Sequence, residues 1–368
     1  MASSLFDERM DRLMKTVALE ATDRTPVMLE YAGFAAAATG MSFAEFAGDP
    51  LKGTDAMIET FKKVGGADGL DYGSYTPALL SFIWLSKVLV SGEHLPADEP
   101  WQVQETELMK PEDYDKIVDM GWEAFFPQFL ESNIKAGLME QFGGFVGIQR
   151  EVLQKWGAVD APIMQAGTIT TPYEMFCGGR TMPKFIFDLY RMPDKVEKAM
   201  EAAAPYMAPQ AIDLTKQLGL PAIWIGGWRS ASEMLARSLW ERFVWPYFKR
   251  IANEVLDAGI IPLFHLDSSW TRDLEMFKEF PAGKCIISFD GSTDIVKAKE
   301  ILGDTMCIMG DVPASLFSHG TPEDVYDYCR NNIKKIGPTG YIIHSGCDIP
   351  IDAKVENVSA MMKAAEAK

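Results

Sequence analysis

The sequence of 368 residues has few of the features that mark membrane-bound, secreted or nucleic-acid-binding proteins. It contains 35 lysines and arginines against 52 aspartates and glutamates, which gives a formal net charge of −17 at pH 7. Nucleic acids and anionic membranes require a basic surface, so we expect neither as a partner. No apolar run approaches the roughly 18 residues of a membrane span, and the N-terminus lacks a signal-peptide core. We therefore expect a soluble, cytoplasmic protein.

Cysteine and histidine are also scarce, with five and four residues respectively. An odd number of widely spaced cysteines does not form a disulfide framework, so their expected roles are packing, metal binding or a reactive thiol. The motifs of serine hydrolases, P-loop nucleotide-binding proteins and HExxH metalloproteases are absent. The glycine-rich segment 65–69 precedes a predicted strand and is therefore not a dinucleotide-binding motif.

Short apolar segments alternate with segments of helical periodicity along most of the chain. Six of these short segments are almost continuously apolar, as parallel strands buried on both faces are. Eight strands that alternate with helices predict a single-domain (β/α)8, TIM-like barrel over residues 1–368. The predicted strands cover residues 27–31, 67–72, 162–167, 221–227, 260–265, 284–289, 305–309 and 340–344.

Residues 73–160 interrupt this regular alternation. They contain a possible hairpin and a helical stretch rich in Trp, Phe and Met, and no clean strand–helix repeat. We interpret them as an insertion that forms a lid over the mouth of the barrel.

Functional residues of such barrels lie at the carboxyl ends of the strands. His265 and Asp267 end the fifth predicted strand, and strand residues i and i+2 point to the same face. Cys347 follows the last strand on a turn that begins at Gly346, and Cys307 belongs to the seventh strand. Nitrogen, oxygen and sulfur ligands together suit zinc better than magnesium or calcium. Cys307 is an equally good candidate for simple packing, because free cysteine is often buried.

Several motifs resemble those of the uroporphyrinogen decarboxylase superfamily over nearly the whole chain, most weakly in residues 73–160. The resemblance implies a distorted (β/α)8 barrel, in agreement with the strand count. The motifs are Asp-Arg-Thr-Pro-Val at 23–27, Met-Pro-Asp-Lys-Val at 192–196, His-Leu-Asp at 265–267, Met-Gly-Asp-Val-Pro at 309–313, Ser-Gly-Cys-Asp-Ile-Pro at 345–350, and Glu356 with Asn357.

The superfamily has a decarboxylase branch and a branch of cobalamin-dependent methyltransferases. The decarboxylases hold their polycarboxylate substrate with an arginine-rich segment after the first strand. The corresponding segment here, residues 30–34, reads Glu-Tyr-Ala-Gly-Phe and has no arginine. A mouth without arginine cannot form bidentate pairs with substrate carboxylates. The sequence therefore favours the methyltransferase branch.

Resemblance to this branch implies two overlapping zinc-ligand sets. Thiol-methylating members use a His-x-Cys pair and a later Cys; His265 and Cys347 match the outer ligands, and Asp267 replaces the middle cysteine. In members that demethylate methoxylated aromatics, the proposed zinc ligands are an acidic residue followed by two cysteines about 40 residues apart. Cys307 and Cys347 match the two cysteines of this pattern. Oxygen in place of sulfur makes the metal a better Lewis acid for an oxygen ligand. The expected metal ligands are therefore His265, Asp267, Cys307 and Cys347.

The implied function is zinc-dependent O-demethylation of a methoxylated aromatic such as veratrole or vanillate, with methyl transfer to cob(I)alamin. The chain lacks the Asp-x-His-x-x-Gly pattern of cobalamin carriers, so the resemblance implies a separate corrinoid protein that docks at the barrel mouth. A homodimer is compatible with the sequence. Two alternatives remain: a methylcobalamin:thiol methyltransferase of the coenzyme M type, and a non-catalytic corrinoid- or tetrapyrrole-binding protein. We expect Asp267 and Asp290 as catalytic carboxylates, and as substrate-binding residues Tyr31, Tyr72, Gln165, Trp228 and Arg229.

Overall fold

A computed structural model of the protein describes residues 4–367, which contain ten strands. Most of these strands form from apolar segments, as is typical of parallel strands that are buried on both faces. In chain order the strands are β1 Met28–Leu29, β2 Gly69–Leu70, β3 Lys87–Leu89, β4 Gln102–Gln104, β5 Thr168–Thr170, β6 Ala222–Gly227, β7 Ile261–Leu266, β8 Ile286–Phe289, β9 Cys307–Val312 and β10 Tyr341–Ser345.

Six of these strands form one parallel sheet in the spatial order β10-β9-β8-β7-β6-β5. β1 and β2 close the gap between the two edge strands, β10 and β5, through much shorter backbone pairing. β1 and β2 pair in parallel over two residues each. Val27 makes a parallel bridge to Ile343 in β10, and Leu70 makes one to Ile163. The N–H of Ala222 then donates to the carbonyl of Met164 at 3.1 Å, which joins this segment to β6.

The predicted barrel is confirmed, with two differences in detail. The third barrel strand was predicted at 162–167, but its regular part, β5, begins just after that range, and within the range Ile163 makes only an isolated bridge. β1 and β2 are also shorter than predicted, because only two residues of each form the ladder between them. The seam between β10, β1, β2 and β5 therefore has fewer backbone hydrogen bonds than the rest of the barrel.

Helices cover the outside of the barrel and fill the long connections. The helices are α1 Leu5–Val17, α2 Gly33–Thr39, α3 Phe43–Gly48, α4 Pro50–Lys63, α5 Ala78–Trp84, α6 Pro111–Met120, α7 Trp122–Phe129, α8 Leu138–Gly147, α9 Gln149–Gly157, α10 Pro172–Arg180, α11 Met182–Arg191, α12 Pro193–Ala203, α13 Pro209–Leu218, α14 Arg237–Phe243, α15 Trp245–Asp257, α16 Ile295–Leu302, α17 Ala314–His319, α18 Pro322–Ile336 and α19 Val355–Glu366. Short 3₁₀ turns lie at Ala204–Tyr206, Ser232–Met234 and Thr271–Glu279, and a π-helical turn at Leu130–Ile134. No helix within residues 4–367 is both long and apolar enough to cross a membrane.

The predicted insertion, residues 73–160, contains α5–α9 and the antiparallel hairpin β3–β4. Its helices pack against α4, α10 and α12 beside the barrel. Trp84, at the end of α5, reaches the residues that follow β6 and contacts Trp228. The function of this segment as a lid stays a prediction.

An apolar cluster fills the lower interior of the barrel, and α1 closes it from below. Leu13 and Val17 of α1 pack there against Met28, Ile286 and Cys307. Polar contacts hold α1 in place, because the buried carboxylate of Asp68 accepts hydrogen bonds from Arg12 and Arg24. The closed lower end leaves the upper interior, at the carboxyl ends of the strands, as the place where polar groups can meet a ligand.

Candidate functional site

Strand alternation carries polar side chains into the upper interior of the barrel. In β1 and its flanks, Val27 and Leu29 pack in the outer core, whereas Met28 lies in the interior cluster. Glu30 is the next interior residue, because successive side chains of a strand point to opposite faces. The same alternation brings Asp71, His265 and His344 inside. We call the set formed by Glu30, Asp71, His265, Asp267, His344 and Cys347 the mouth cluster.

Three residues of the mouth cluster form a group suited to a metal ion. The potential ligand atoms of Glu30, His265 and Cys347 all lie within 4.8 Å of one another. Nδ1 of His265 is 3.6 Å from Oε2 of Glu30. Glu30 directly follows β1, His265 lies in β7 and Cys347 lies on the turn after β10, so only the closed barrel assembles them. Carboxylate, imidazole and thiolate are all zinc ligands.

Asp267 approaches the other nitrogen of the same imidazole. Its Oδ1 lies 3.2 Å from Nε2 of His265. Metal-binding histidines commonly present their second nitrogen to a carboxylate, which fixes the orientation of the ring. With Nδ1 facing Glu30, the geometry suits Asp267 to orienting His265 better than to binding the same ion.

A second group lies deeper in the mouth cluster and shares Glu30 with the first. The potential ligand atoms of Glu30, Asp71 and His344 also lie within 4.8 Å of one another, and all three residues are buried. Nε2 of His344 is 3.5 Å from Asp71 and 3.8 Å from Glu30.

Many polar atoms of the mouth cluster have no hydrogen-bond partner among the described residues. They are Oε2 of Glu30, both carboxylate oxygens of Asp71, Nδ1 of His265, Oδ1 of Asp267 and both ring nitrogens of His344. Each such atom costs about 1–3 kcal/mol when buried, and more when it carries charge. A bound cation would satisfy several of these atoms at once, so the residues fit a zinc ion.

Burial and crowding of like charges shape the protonation of Glu30 and His265. Burial raises the pKa of Glu30 well above its usual range, and neighbouring carboxylates raise it further while His265 lowers it. Burial by itself lowers the pKa of His265, but Glu30, Asp267 and Cys347 together raise it well above its usual value. Metal binding to these groups would therefore release protons.

Cys347 is the one exposed cysteine in the described part of the chain. The surrounding protein nevertheless desolvates its thiol, which raises the pKa of Cys347 to about 12, although His265 opposes this shift. The next residue, Asp348, accepts a hydrogen bond from the N–H of Ala32 at 2.8 Å. Burial raises the pKa of Asp348 to about 7.

Cys307 does not reach the mouth cluster, in contrast to the sequence-based expectation. It is the first residue of β9 and pairs in register with Ile286, whereas Met309 pairs with Ser288 at the level of His265. Two strand residues, about 7 Å, therefore separate Cys307 from that level. It is fully buried in the lower apolar cluster, where burial raises the pKa of its thiol to about 12.

Tyr31 is also displaced from its expected role in substrate binding. It follows the inward-facing Glu30 and therefore points outward into the main core, where its hydroxyl donates to the carbonyl of Met57 at 2.8 Å. Only 1% of its surface is exposed. Strand alternation excludes it from the mouth.

Asp290 lies at the mouth, after β8, but its carboxylate organises loops. It accepts hydrogen bonds from the N–H of Ser268 at 2.9 Å and of Ser292 at 2.8 Å. The hydroxyl of Ser292 adds a third at 3.1 Å. With both oxygens occupied by the turns after β7 and β8, Asp290 fits a structural role better than the catalytic role expected from the sequence.

Aromatic rings form a wall beside His265 that starts one interior level below it, at Trp224. Trp224 stacks on the imidazole with centroids 4.5 Å apart, and Trp228 packs against Trp224 at 5.1 Å. Trp84 meets Trp228 edge-on at 4.8 Å, and the guanidinium of Arg229 lies 4.8 Å from the centre of the Trp84 ring. Two of the expected substrate-binding residues, Trp228 and Arg229, therefore lie together on this wall.

A second group of aromatic rings lies on the side of Cys347 and Asp348. Tyr72 packs against Tyr75 at 5.9 Å, and Tyr75 stacks on Trp101 at 5.2 Å. Burial raises the pKa of Tyr72 well above its usual value, and the nearby charges of Asp348 and Glu30 raise it further. The expected substrate-binding residue Gln165 is buried beside Asp71, and its Oε1 has no partner among the described residues.

Sequence reasoning identified the strand ends but missed three members of the mouth cluster as potential ligands. Glu30 and Asp71 directly follow β1 and β2, and His344 was equally interpretable as a core histidine. Alternation within residues 27–31 was the available signal for Glu30, because apolar Val27 and Leu29 must share a face. Nothing in the sequence pairs Asp71 with His344, since 272 residues lie between them.

Comparison with known proteins supports the fold and the family. The sequence profile of uroporphyrinogen decarboxylase (URO-D) matches residues 155–367, more than half of the chain. The uroporphyrinogen decarboxylase of Trichodesmium erythraeum is 28% identical over 171 residues, which cover 46% of this chain and 45% of that protein. The human enzyme is 23% identical over 196 residues, 51% of each chain. The chain thus spans about half the length of the curated relatives it matches.

A solved structure described as a methyltransferase from Methanosarcina mazei superposes on nearly the whole chain. The TM-score is 0.73, with 97% of this chain and 98% of that chain covered, at 14% sequence identity. This likeness is one of fold, and it agrees with the barrel described above. The match over residues 155–367 shows that the chain belongs to the uroporphyrinogen decarboxylase family.

Proposed function

We propose that the protein is a zinc-dependent methyltransferase that removes the methyl group of a methoxylated aromatic and transfers it to cob(I)alamin on a separate corrinoid protein. The observation that carries this proposal is the group formed by Glu30, His265 and Cys347, whose potential ligand atoms lie within 4.8 Å at the open end of the barrel. The shared fold of the Methanosarcina methyltransferase is compatible with the same assignment.

The roles of the chain's own residues follow from the geometry. Glu30, His265 and Cys347 would hold the ion, and Asp267 would keep the imidazole in place. Zinc held there would supply a Lewis acid for the ether oxygen, so that the phenolate leaves more readily. Cys347 is the least buried of the three residues, and that side of the site is the one a substrate can reach.

The aromatic walls would bind and orient the ring. Trp228 and Trp84 on one side, and Tyr72 and Tyr75 on the other, present flat apolar surfaces near the metal-binding group. Aromatic pairs contribute about 0.5–1.5 kcal/mol beyond their buried area. Holding the methyl carbon in line with an incoming acceptor is where such a protein gains most of its rate, because little proton transfer is needed.

The mouth cluster argues against decarboxylation, the activity of the curated relatives. Its carboxylates form ion pairs within the described residues only with His265 and His344. A porphyrinogen octacarboxylate needs arginine or lysine partners and would be repelled by Glu30 and Asp71. Arg229 is the cation on the neighbouring wall, and one arginine can pair with only one or two carboxylates.

Anaerobic assay of the zinc-loaded protein with veratrole and free cob(I)alamin tests the proposal. The methyl–oxygen bond breaks, the cobalt–carbon bond forms, and the phenolate takes a proton from water to give 2-methoxyphenol. We expect methylcobalamin and the phenol in equal amounts. Cys347→Ala and His265→Ala should lower the rate on the order of a hundredfold or more, because Lewis-acid catalysis contributes several kcal/mol.

Cys307→Ala is the matched control for Cys347→Ala. It removes a thiol from the lower apolar cluster, so zinc content and rate should stay at the wild-type level. Loss of zinc in Cys307→Ala, with zinc retained in Cys347→Ala, would contradict the proposed ligand set. Methylation of a thiol from methylcobalamin, without demethylation of veratrole, would contradict the proposed direction of transfer.

A further inference from the structure

The group formed by Glu30, Asp71 and His344 is buried more deeply than the group that includes Cys347. Asp71 and His344 have no exposed surface, and 6% of Glu30 is exposed. Nε2 of His344 lies 3.5 Å from Oδ2 of Asp71 and 3.8 Å from Oε2 of Glu30. The aromatic substrate proposed above has no access to these atoms.

Three other buried carboxylates, those of Asp68, Asp311 and Glu174, provide an internal comparison. Asp68 accepts hydrogen bonds from two arginines, Arg12 and Arg24. Asp311 accepts from Tyr328 and Asn332, and Glu174 from the backbone and hydroxyl of Ser230. The fold thus supplies donors to these buried carboxylates.

Asp71 departs from this pattern. Neither of its oxygens has a hydrogen-bond partner among the described residues, and the same holds for both nitrogens of His344. Oδ2 of Asp71 and Nε2 of His344 face each other at 3.5 Å without the geometry of a hydrogen bond, and each buried atom that lacks a hydrogen bond costs about 1–3 kcal/mol. A ligand that accepts lone pairs from oxygen and nitrogen removes this cost.

Charge balance points to the same kind of ligand. The upper interior holds the carboxylates of Glu30, Asp71 and Asp267, whose ion pairs within residues 4–367 are with histidines alone. Buried carboxylates are stable only when they are paired or coordinate metals. One divalent ion on Glu30, His265 and Cys347 would offset the charges of Glu30 and the thiolate and leave those of Asp71 and Asp267.

The spacing of the three side chains suits a small ion. Zinc–nitrogen and zinc–oxygen bonds of about 2.0–2.2 Å place neighbouring ligands of a tetrahedral site roughly 3.3–3.6 Å apart. The separations of 3.5 and 3.8 Å from His344 are at or just above this range. One imidazole and two carboxylates suit Zn²⁺ or Mn²⁺ better than Mg²⁺ or Ca²⁺, which prefer oxygen alone.

We propose that Glu30, Asp71 and His344 form a second divalent-metal site, and that Glu30 bridges it to the ion held by His265 and Cys347. Oε2 of Glu30 is the shared atom, 3.6 Å from His265 and 3.8 Å from His344. The deeper ion has no open side for a substrate, so its role is to hold the site together. The inference stands on the deeper group and does not require the reaction proposed above.

The deeper ion would also strengthen the weakest part of the barrel. Its ligands come from the ends of β1 and β2 and from β10, the strands joined by two-residue pairing and single bridges. An ion bound to all three would link them across this seam. Removal of metal should therefore increase backbone hydrogen exchange in residues 27–31, 69–72 and 341–345 more than in β6–β8.

Cobalt titration of the metal-free full chain tests the proposal. We expect two equivalents of Co²⁺ in the wild type, with a thiolate-to-cobalt absorption band from the Cys347 site. Asp71→Asn and His344→Gln should each bind one equivalent and keep the band. Cys347→Ser should also bind one or more equivalents but lose the band. Asp71→Asn replaces a single oxygen by nitrogen and preserves the shape of the side chain. This variant therefore still tests the proposal if His344→Gln fails to fold.

Saturation of the wild type at one equivalent, or two equivalents in Asp71→Asn, would overturn the second site and leave the proposed function intact. If metal removal increased backbone hydrogen exchange equally in β6–β8 and in residues 27–31, 69–72 and 341–345, this would also count against the second site. A protein that binds no cobalt would overturn both proposals. Two equivalents without demethylation of veratrole would support the second site and contradict only the reaction.

Discussion

Oδ1 of Asp267 lies 3.2 Å from Nε2 of His265, on the opposite side of the ring from Glu30. This relationship separates two roles that the sequence assigned to Asp267 together, metal binding and catalysis. A carboxylate on the far nitrogen orients the imidazole and makes it a stronger ligand. We therefore expect Asp267 to orient His265 and not to bind the ion that the near nitrogen faces.

Asp267→Asn should therefore weaken zinc binding without removing the site. We expect zinc affinity to fall about 10- to 100-fold, the usual effect of losing such an orienting partner, with about one equivalent still bound at this site in excess metal. Competition with a coloured chelator measures the affinity. Cys347→Ser provides the comparison, and an equally large loss of zinc affinity at this site in both variants would show that Asp267 is a ligand after all.

Arg229 should select for carboxylated substrates. Its guanidinium lies over Trp84, and it makes no ion pair within residues 4–367, so it is free to pair with a carboxylate on the aromatic ring. Loss of a charge-assisted contact in Arg229→Gln should raise KM for vanillate about tenfold and leave KM for veratrole nearly unchanged. Arg237→Gln, on α14, is the control. Equal effects on both substrates would contradict a charge-specific role.

Asp68 should be essential to the stability of the barrel floor. Its buried carboxylate binds Arg12 at 2.6 Å and Arg24 at 2.7 Å, and it accepts the N–H of Val27. Asp68→Asn removes the carboxylate partner of Arg24 and leaves Arg12 with only the exposed Asp23, so the free energy of unfolding in urea should fall by about 1.5–3 kcal/mol. Asp23→Asn, which removes an exposed partner of the same Arg12, should cost at most about 1 kcal/mol. Similar losses in the two variants would contradict this account.

Protonation of Glu107 should lower the stability of the protein in acid. Hydrogen bonds from Lys110, Lys184 and Arg180 lower its pKa from 4.5 to about 2. Because the pKa is lower in the folded state, its stabilising effect is complete above about pH 4.5 and is lost as the pH falls toward 2. Thermal unfolding of Glu107→Gln should thus depend less steeply on pH in this window than that of the wild type. Glu20→Gln, an exposed site outside this network, should follow the wild type.

The sequence predicted the barrel because its evidence is local. Apolar runs such as 260–265 and 340–344 identify buried parallel strands, and the helical segments between them require a parallel sheet. His265 and Cys347 could be identified for the same reason, since each lies at the end of a recognisable strand. The exclusion of Tyr31 was also available in principle from the alternation of residues 27–31.

Cys307 shows where local evidence ends. The sequence assigns Cys307 to a strand. The level of Cys307 along the barrel axis depends on the register of β8, β9 and β10, which is set by packing between the strands. The sequence therefore could not distinguish the two overlapping ligand sets, and the structure separates Cys307 from His265 by one interior level.

The sequence by itself determined the fold, the family and the chemical character of the mouth, because strand periodicity and the lack of arginine at 30–34 are properties of the chain. Only the tertiary structure decided which side chains meet. Glu30 contacts both His265 and His344, and Asp71 contacts His344, because barrel closure brings β1 and β2 between β10 and β5. These contacts join residues hundreds of positions apart, and their distances depend on strand register and closure.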